Sequence, residues 1–196
     1  MIRRAKPADA AHAVPLLVTA MGSITNMLAG TADAAEAQTI LQDFFRKDDN
    51  RVSHQNTLVA ERDGRIVGAL VSYHGSCCEE MDRPFLDRQR ALYGSERTEI
   101  PREAQPDEYY LDSLAVAPEY RGQGIATALI AAFESHAAML EHPKVALLVE
   151  ESNEPAYRLY RKLGYIVDSR LTIADHDFHH MVKQLPFDIP TAYEGG

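Results

Sequence analysis

The sequence predicts a mixed α/β fold. Three observations carry this. A strand pattern over Tyr109 to Val116 passes through a glycine-rich turn, Arg121-Gly122-Gln123-Gly124-Ile125-Ala126, into a long helical pattern. A hairpin pattern precedes that unit, and a strand–helix–strand pattern follows it. The chain has 196 residues, enough for one compact domain with its own core.

Each element has its own justification. Residues 1–6 supply a short first strand. Pro7 to Met21 carries Ala and Leu at helical spacing, with Val14, Leu17, Val18 and Met21 as a stripe. Pro15 inside it predicts a kink or a break. A second helix is expected over 33–46, where Ile40, Leu41, Phe44 and Phe45 fall as two i,i+4 pairs of core residues. Thr57–Glu61 and Ile66–Tyr73 pair as a hairpin about Asp63-Gly64.

The stretch from Cys77 to Asp107 is different: it is charged, carries three prolines and interrupts the strands. Asp82-Arg83-Pro84 predicts a helix start there. Phe85, Leu86, Leu92 and Tyr93 form its expected apolar stripe, with Gly94 as the stop. An excursion of this length reads as a lid or a partner-contacting element.

The strand Tyr109–Val116 is expected to put Tyr110, Asp112, Leu114 and Val116 on one face and Tyr109, Leu111, Ser113 and Ala115 on the other. Pro118 ends it. On the helix after the glycine turn, Ile125, Leu129, Phe133 and Ala137 stack four apart. Lys144–Val149 is a short strand of the buried kind. Asn153-Glu154-Pro155 opens a helix that runs to Leu163, and Gly164 fits its C-terminal turn. Tyr165–Val167 begins another strand. Leu171–Ile173 and Phe178–Lys183 form the last edge of the sheet, with His179 and His180 on it. Residues 1–184 make the domain and 185–196 a tail.

Charge and composition narrow the partners. Twenty basic against twenty-nine acidic residues leave a net charge of −9. That argues against nucleic-acid binding, which needs a basic face. It is compatible with a cationic substrate, though an acidic surface most often serves solubility. No apolar run reaches the roughly 18 residues of a membrane span, and the N-terminus lacks the apolar core of a signal peptide. The two cysteines, Cys77 and Cys78, are adjacent, with neither staple nor metal-ligand spacing. The expectation is a cytoplasmic protein with free thiols, no membrane contact and no metal; a homodimer is left open.

The glycine turn carries the chemistry. A helix N-terminus offers unpaired N–H groups and about half a positive charge. Glycines let a ligand approach the backbone closely. Arg121 to Ala126 can therefore present a row of amides to a pyrophosphate. A P-loop requires Gly-Lys-Ser/Thr, and here Ile125-Ala126-Thr127 follows the second glycine. A dinucleotide fold requires Gly-x-Gly-x-x-Gly directly after its strand. Here Thr127 stands at the third glycine's place, and five residues separate the strand from the turn.

Leu114-Ala115-Val116-x-Pro118-x-Tyr120-Arg121-Gly122-x-Gly124-Ile125-Ala126 resembles the acetyl-CoA motif of the GNAT N-acetyltransferase superfamily, in which Arg or Gln is followed by two residues, Gly, one residue, then Gly or Ala. Arg121, Gly124 and Ala126 match. Asn153-x-x-Ala156-x-x-Leu159-Tyr160-x-Lys162-x-Gly164-Tyr165 is similar to the family's second signature. The resemblance covers about residues 1–184, most clearly 109–168. It implies a central, mostly antiparallel sheet of six to seven strands flanked by helices, with 77–107 as a charged insertion.

The resemblance also implies roles. Leu114, Ala115 and Val116 would hold the pantetheine arm of acetyl-CoA as an added strand. The amides of Arg121, Gly122, Gln123, Gly124, Ile125 and Ala126 would hold its pyrophosphate. Asn153 would face its pantetheine or thioester end. Tyr160 would be the general acid beside the sulfur. Chemistry supports that last role: direct transfer releases a thiolate, and a phenol with a reference pKa of about 10 is protonated at neutral pH. The acceptor needs the opposite service, because an alkylamine of pKa near 10.4 is a free base in only about one molecule in 10³ at pH 7. Asp112, at a position where several family members carry an acidic residue, is the first candidate for that base or for an ammonium-binding group. Glu108, Glu79, Glu80 and His74 are further candidates. The implied function is transfer of an acetyl group from acetyl-CoA to a primary amine in a ternary complex. A non-catalytic acyl-CoA sensor and a protein N-terminal or lysine acetyltransferase are the alternatives.

Overall fold

A computed structural model describes residues 1–94, 100–173 and 175–186. Seven strands form one sheet: β1 (Ile2–Arg4), β2 (Thr57–Arg62), β3 (Arg65–His74), β4 (Tyr109–Val116), β5 (Lys144–Glu150), β6 (Ile166–Ile173) and β7 (His176–Gln184). Their order is β1-β2-β3-β4-β5-β7-β6. All neighbours run antiparallel except β4 and β5. Helices α1 (Ala10–Met21), α2 (Ile24–Ala29), α3 (Ala34–Arg46) and α4 (Cys78–Tyr93) precede β4; α5 (Ile125–Met139) and α6 (Glu154–Lys162) follow it.

The sheet separates two cores. One joins Val14 and Leu17 of α1, Leu41 and Phe45 of α3 and Phe85 of α4 to Ala69, Val71 and Tyr110. The other joins Ile125, Leu129, Phe133 and Ala137 of α5 and Tyr160 of α6 to Val67, Leu111 and Leu147. The four-apart stack on α5 is therefore its buried face, as the sequence periodicity requires.

Several expectations need correction. Pro15 does not break α1, which stays continuous to Met21. Val14, Leu17 and Met21 on either side of it are buried in the core, and this packing outweighs one missing N–H. Helix α4 begins at Cys78, four residues before Asp82, after a 3-10 turn over Gly75–Cys77. Of its expected stripe, Phe85 is buried, but Leu92 and Tyr93 are exposed. The C-terminal edge strand is β6; β7 lies inside the sheet, between β5 and β6. His180 is accordingly buried. Leu185, placed at the start of the tail, is buried and donates its N–H to the Pro143 carbonyl at 2.8 Å. Residues 187–196 lie outside the described residues.

The largest departure is in β4. Its ladder to β3 pairs Ser113 with Val71 but Leu111 with Ser72, so Asp112 is an extra, bulged residue. The bulge inverts the alternation beyond it. Tyr109 and Leu111 before it, and Leu114 and Val116 after it, all pack toward the α5 core. Tyr110 faces the other side. The sheet also splays here. β4 pairs with β5 only from Tyr109–Val145 to Leu111–Leu147, although both strands continue.

Candidate acyl-transfer site

The splay leaves one side of Leu114–Val116 without a strand partner: β3 holds their other side, through Leu114–Leu70, Ala115–Ala69 and Val116–Gly68. A free strand edge of this kind pairs with amide-bearing extended ligands. Beside it opens a cleft of about 480 Å³, lined by Asp112 to Leu114 of β4, Leu148 to Glu150 of β5, and Asn153, Ala156 and Tyr160. The α1–α2 connection and the start of β7 close its other walls.

Past β4, a 3-10 turn over Pro118–Tyr120 leads to the glycine turn. Gly122 and Gly124 have φ of 72° and 78°, a left-handed conformation that costs other residues roughly 1–2 kcal/mol. A Cβ built on either glycine would meet no atom within 4 Å, so the space before the turn is open. Gly124 caps α5 with no side-chain bond to the first-turn amides. The Arg121 Nε donates to the Val116 carbonyl at 3.2 Å, and Gln123 is held by Arg62 at 2.6 Å. The turn is thus tied to the end of β4 and to β2; the Arg121 N–H donates to the Pro118 carbonyl at 3.3 Å, and the amides that follow it at the start of α5 can meet an anion.

Tyr160 lies on the buried face of α6, 7% exposed, and reaches the cleft. Burial pushes its hydroxyl up to about 12, so it stays a proton donor across the neutral range. Asn153 both lines the cleft and caps α6, accepting from the Ala156 N–H at 3.3 Å.

Asp112 also lines the cleft, and its carboxylate is fully engaged. It accepts from Arg51 at 2.5 Å, from the Tyr73 hydroxyl at 2.5 Å and from the Ser113 hydroxyl at 2.7 Å. Burial raises its pKa, but Arg51 and these hydrogen bonds outweigh burial and hold it below the usual carboxylate range. Arg51, 3% exposed, also meets Glu103 at 3.2 Å and Asp82 at 3.4 Å. Burial raises both of those carboxyls. The Tyr110 hydroxyl donates to Glu103 at 2.9 Å. One buried cation thus organises three carboxylates from α4, the segment before β4, and the β4 bulge. Nothing in the local sequence marks Arg51, which stands alone between Asn50 and Val52.

The other candidate bases fall elsewhere. Glu108 is buried and accepts from the Gln105 N–H at 2.8 Å, with His180 Nε2 at 3.1 Å. His74 stacks on His142, ring centroids 4.4 Å apart, with its Nδ1 2.7 Å from the Ser76 hydroxyl. Glu79 borders a separate cavity of about 210 Å³ that Arg51 and Asp82 also line. The cleft does contain a pair that sequence reasoning missed: His176, at the start of β7, with its Nδ1 2.9 Å from the Glu150 carboxylate at the end of β5.

A splayed parallel pair, a glycine turn opening α5 and a buried phenol on α6 together mark this end of the mixed α/β sheet as the candidate site. The sequence model of the acetyltransferase (GNAT) family matches residues 23–165, and the chain belongs to that family. Among similar proteins, an acetyltransferase of Photorhabdus laumondii is 36% identical over 77 residues, 36% of this chain and 52% of that protein. The spermidine N(1)-acetyltransferase of Escherichia coli K12 is 38% identical over 66 residues, 33% of this chain and 34% of that protein. The chain thus spans about half or less of the length of these curated relatives. Solved structures match over nearly the whole chain. One acetyltransferase superposes with a TM-score of 0.80 at 25% identity, covering 95% of this chain and all of that one. An N-acetyltransferase from Staphylococcus aureus Mu50 gives 0.74 at 25% identity, covering 93% and all of that chain.

Proposed function

We propose that the protein transfers an acetyl group from acetyl-CoA to a primary amine within a ternary complex. The observation that carries this reading is the fork: the splay frees one edge of Leu114–Val116 and opens a cleft lined by Leu114 and Tyr160, while the open glycine turn follows beyond the end of the same strand. In this reading the amides of Arg121 to Ala126 bind the pyrophosphate, and Leu114–Val116 pair with the pantetheine amides. Asn153 stands at the pantetheine end.

The amine attacks the thioester carbonyl carbon, a C–N bond forms and the C–S bond breaks. Tyr160 protonates the departing sulfur and is reprotonated from solvent. Asp112 serves a positional role. Its carboxylate is saturated by Arg51, Tyr73 and Ser113, so it fixes the bulge and the acceptor wall and takes no proton. Spermidine, the substrate named for the Escherichia coli relative, belongs to the amine class that a net charge of −9 suits.

The test is thiol release from acetyl-CoA across a panel of small amines and peptides. Amine-dependent release, with acetylated amine appearing one for one, supports the reading. Tight CoA binding with no release for any acceptor favours the sensor reading; release with peptides alone favours a protein acetyltransferase.

A further inference from the structure

Transfer to an amine needs a proton acceptor as well as a donor. The titratable groups of the cleft divide cleanly. Arg51, Glu103, Tyr110 and Asp112 are buried and committed to one another. Tyr160 is a buried phenol held in its protonated form. Glu150 and His176 remain. They line the same cleft, and their side chains keep 39% and 55% of their exposure.

The pair has the geometry of an oriented base. The Glu150 Oε1 lies 2.9 Å from the His176 Nδ1. Bonding to His176 first, and to Ser152 second, holds the Glu150 carboxyl below its ordinary range. An ionised carboxylate at Nδ1 accepts a hydrogen bond from Nδ1–H, which leaves the lone pair on Nε2. The exposure of His176 gives the proton a way out to water. The neighbours leave this pair intact. Glu151 faces Arg170 at 3.3 Å and His179 at 3.5 Å. Asp177 accepts from the Thr172 hydroxyl at 2.7 Å. Asp175, in the turn before His176, adds a nearby negative charge.

We propose that His176, oriented by Glu150, is the proton acceptor for the attacking amine. The proposal rests on the acetyl-transfer reading. As the C–N bond forms, the nitrogen loses a proton to His176 Nε2, directly or through one water. As the C–S bond breaks, Tyr160 delivers a proton to sulfur. The ammonium gives up one proton to solvent before attack, His176 passes the second to solvent, and Tyr160 is reprotonated from it, so one ammonium and one thioester yield one amide, one thiol and one proton.

The experiment measures kcat/KM for an alkylamine and for a weakly basic amine of pKa near 7, in wild type, His176→Gln and Glu150→Gln, across pH 6 to 10. CoA affinity serves as the folding control. His176→Gln is expected to lower kcat/KM for the alkylamine by about 10²-fold, within the range of general-base catalysis. Its loss is expected to shrink as pH rises and to be smaller for the weakly basic amine, a pattern that a merely structural role would not give. Glu150→Gln is expected to lose less and to shift the acidic limb of the profile. If wild type is active and His176→Gln matches it with an unchanged profile, the proposal is overturned while the transfer reading stands. If wild type acetylates no amine, the transfer reading fails and this proposal fails with it.

Discussion

Replacing Arg51 by Met should be the most damaging single change outside the two hydrophobic cores. The side chain is 3% exposed and faces the Asp112, Glu103 and Asp82 carboxylates at 2.5, 3.2 and 3.4 Å. Their side chains are 4%, 9% and 14% exposed, so water cannot take over the lost charge. Removing one partner of a buried pair costs about 3–5 kcal/mol. For a chain of this size each kcal/mol shifts Tm by about 2–4 °C, which gives a fall of about 6–20 °C. The sign with pH is specific. In wild type the Asp112 pKa is depressed, so its contribution is present above the unfolded carboxylate value near 3.9 and is lost as pH falls through the lower folded value. In Arg51→Met the guanidinium is gone, and burial, the largest influence, outweighs the remaining Tyr73 and Ser113 hydrogen bonds and raises that pKa, so the variant gains stability relative to wild type as pH falls from 7 to 5. Urea denaturation at the two pH values measures both effects. The Arg51→Met, Asp112→Asn double variant should recover part of the loss, because one unpaired buried charge is gone. A loss below about 1 kcal/mol at pH 7, or a gap that does not narrow at pH 5, would refute the reasoning.

Three further outcomes are expected. Tyr160→Phe should lower turnover by about 10²-fold or more while CoA affinity changes little; steady-state kinetics beside calorimetric titration separates the two, and unchanged turnover removes Tyr160 from the mechanism. Gly124→Ala, at φ 78°, should cost about 1–2 kcal/mol of stability and weaken CoA binding by about tenfold, equivalent to about 1.4 kcal/mol; full retention of affinity would show that the turn's amides do not hold the pyrophosphate. His180 sits between Asp168 at 2.5 Å and Glu108 at 3.1 Å. Burial lowers its pKa, but these carboxylates outweigh burial and raise it. Its stabilisation should be complete below the unfolded value near 6.5 and lost as pH rises through the higher folded value. Wild type should therefore lose stability more steeply than His180→Gln between pH 6.5 and 9; parallel slopes would contradict this.

The unit from Tyr109 to Met139 was legible because its signals are local. A period of two gives way to glycines and then to a period near four, and the α5 stack is buried as the spacing requires. The cap at Asn153 was legible for the same reason. The acceptor side was not. The Asp112 bulge belongs to the pairing of two strands, so a strict alternation placed Leu114 and Val116 on the wrong face. Arg51 meets Asp112 across 61 residues of chain, and Glu150 meets His176 across 26. No spacing rule links such residues. α4 misled for another reason: Leu92 and Tyr93 are apolar but lie near its exposed C-terminal end, where burial does not follow hydropathy.

The central claim is that the free β4 edge and the glycine turn receive the cofactor. Hydrogen exchange of the backbone amides, with and without CoA, tests it most directly. The account predicts slowed exchange within Leu114–Val116 and Arg121–Ala126, where ligand oxygens engage the amides. CoA binding that protects other segments and leaves both of these unchanged would contradict it.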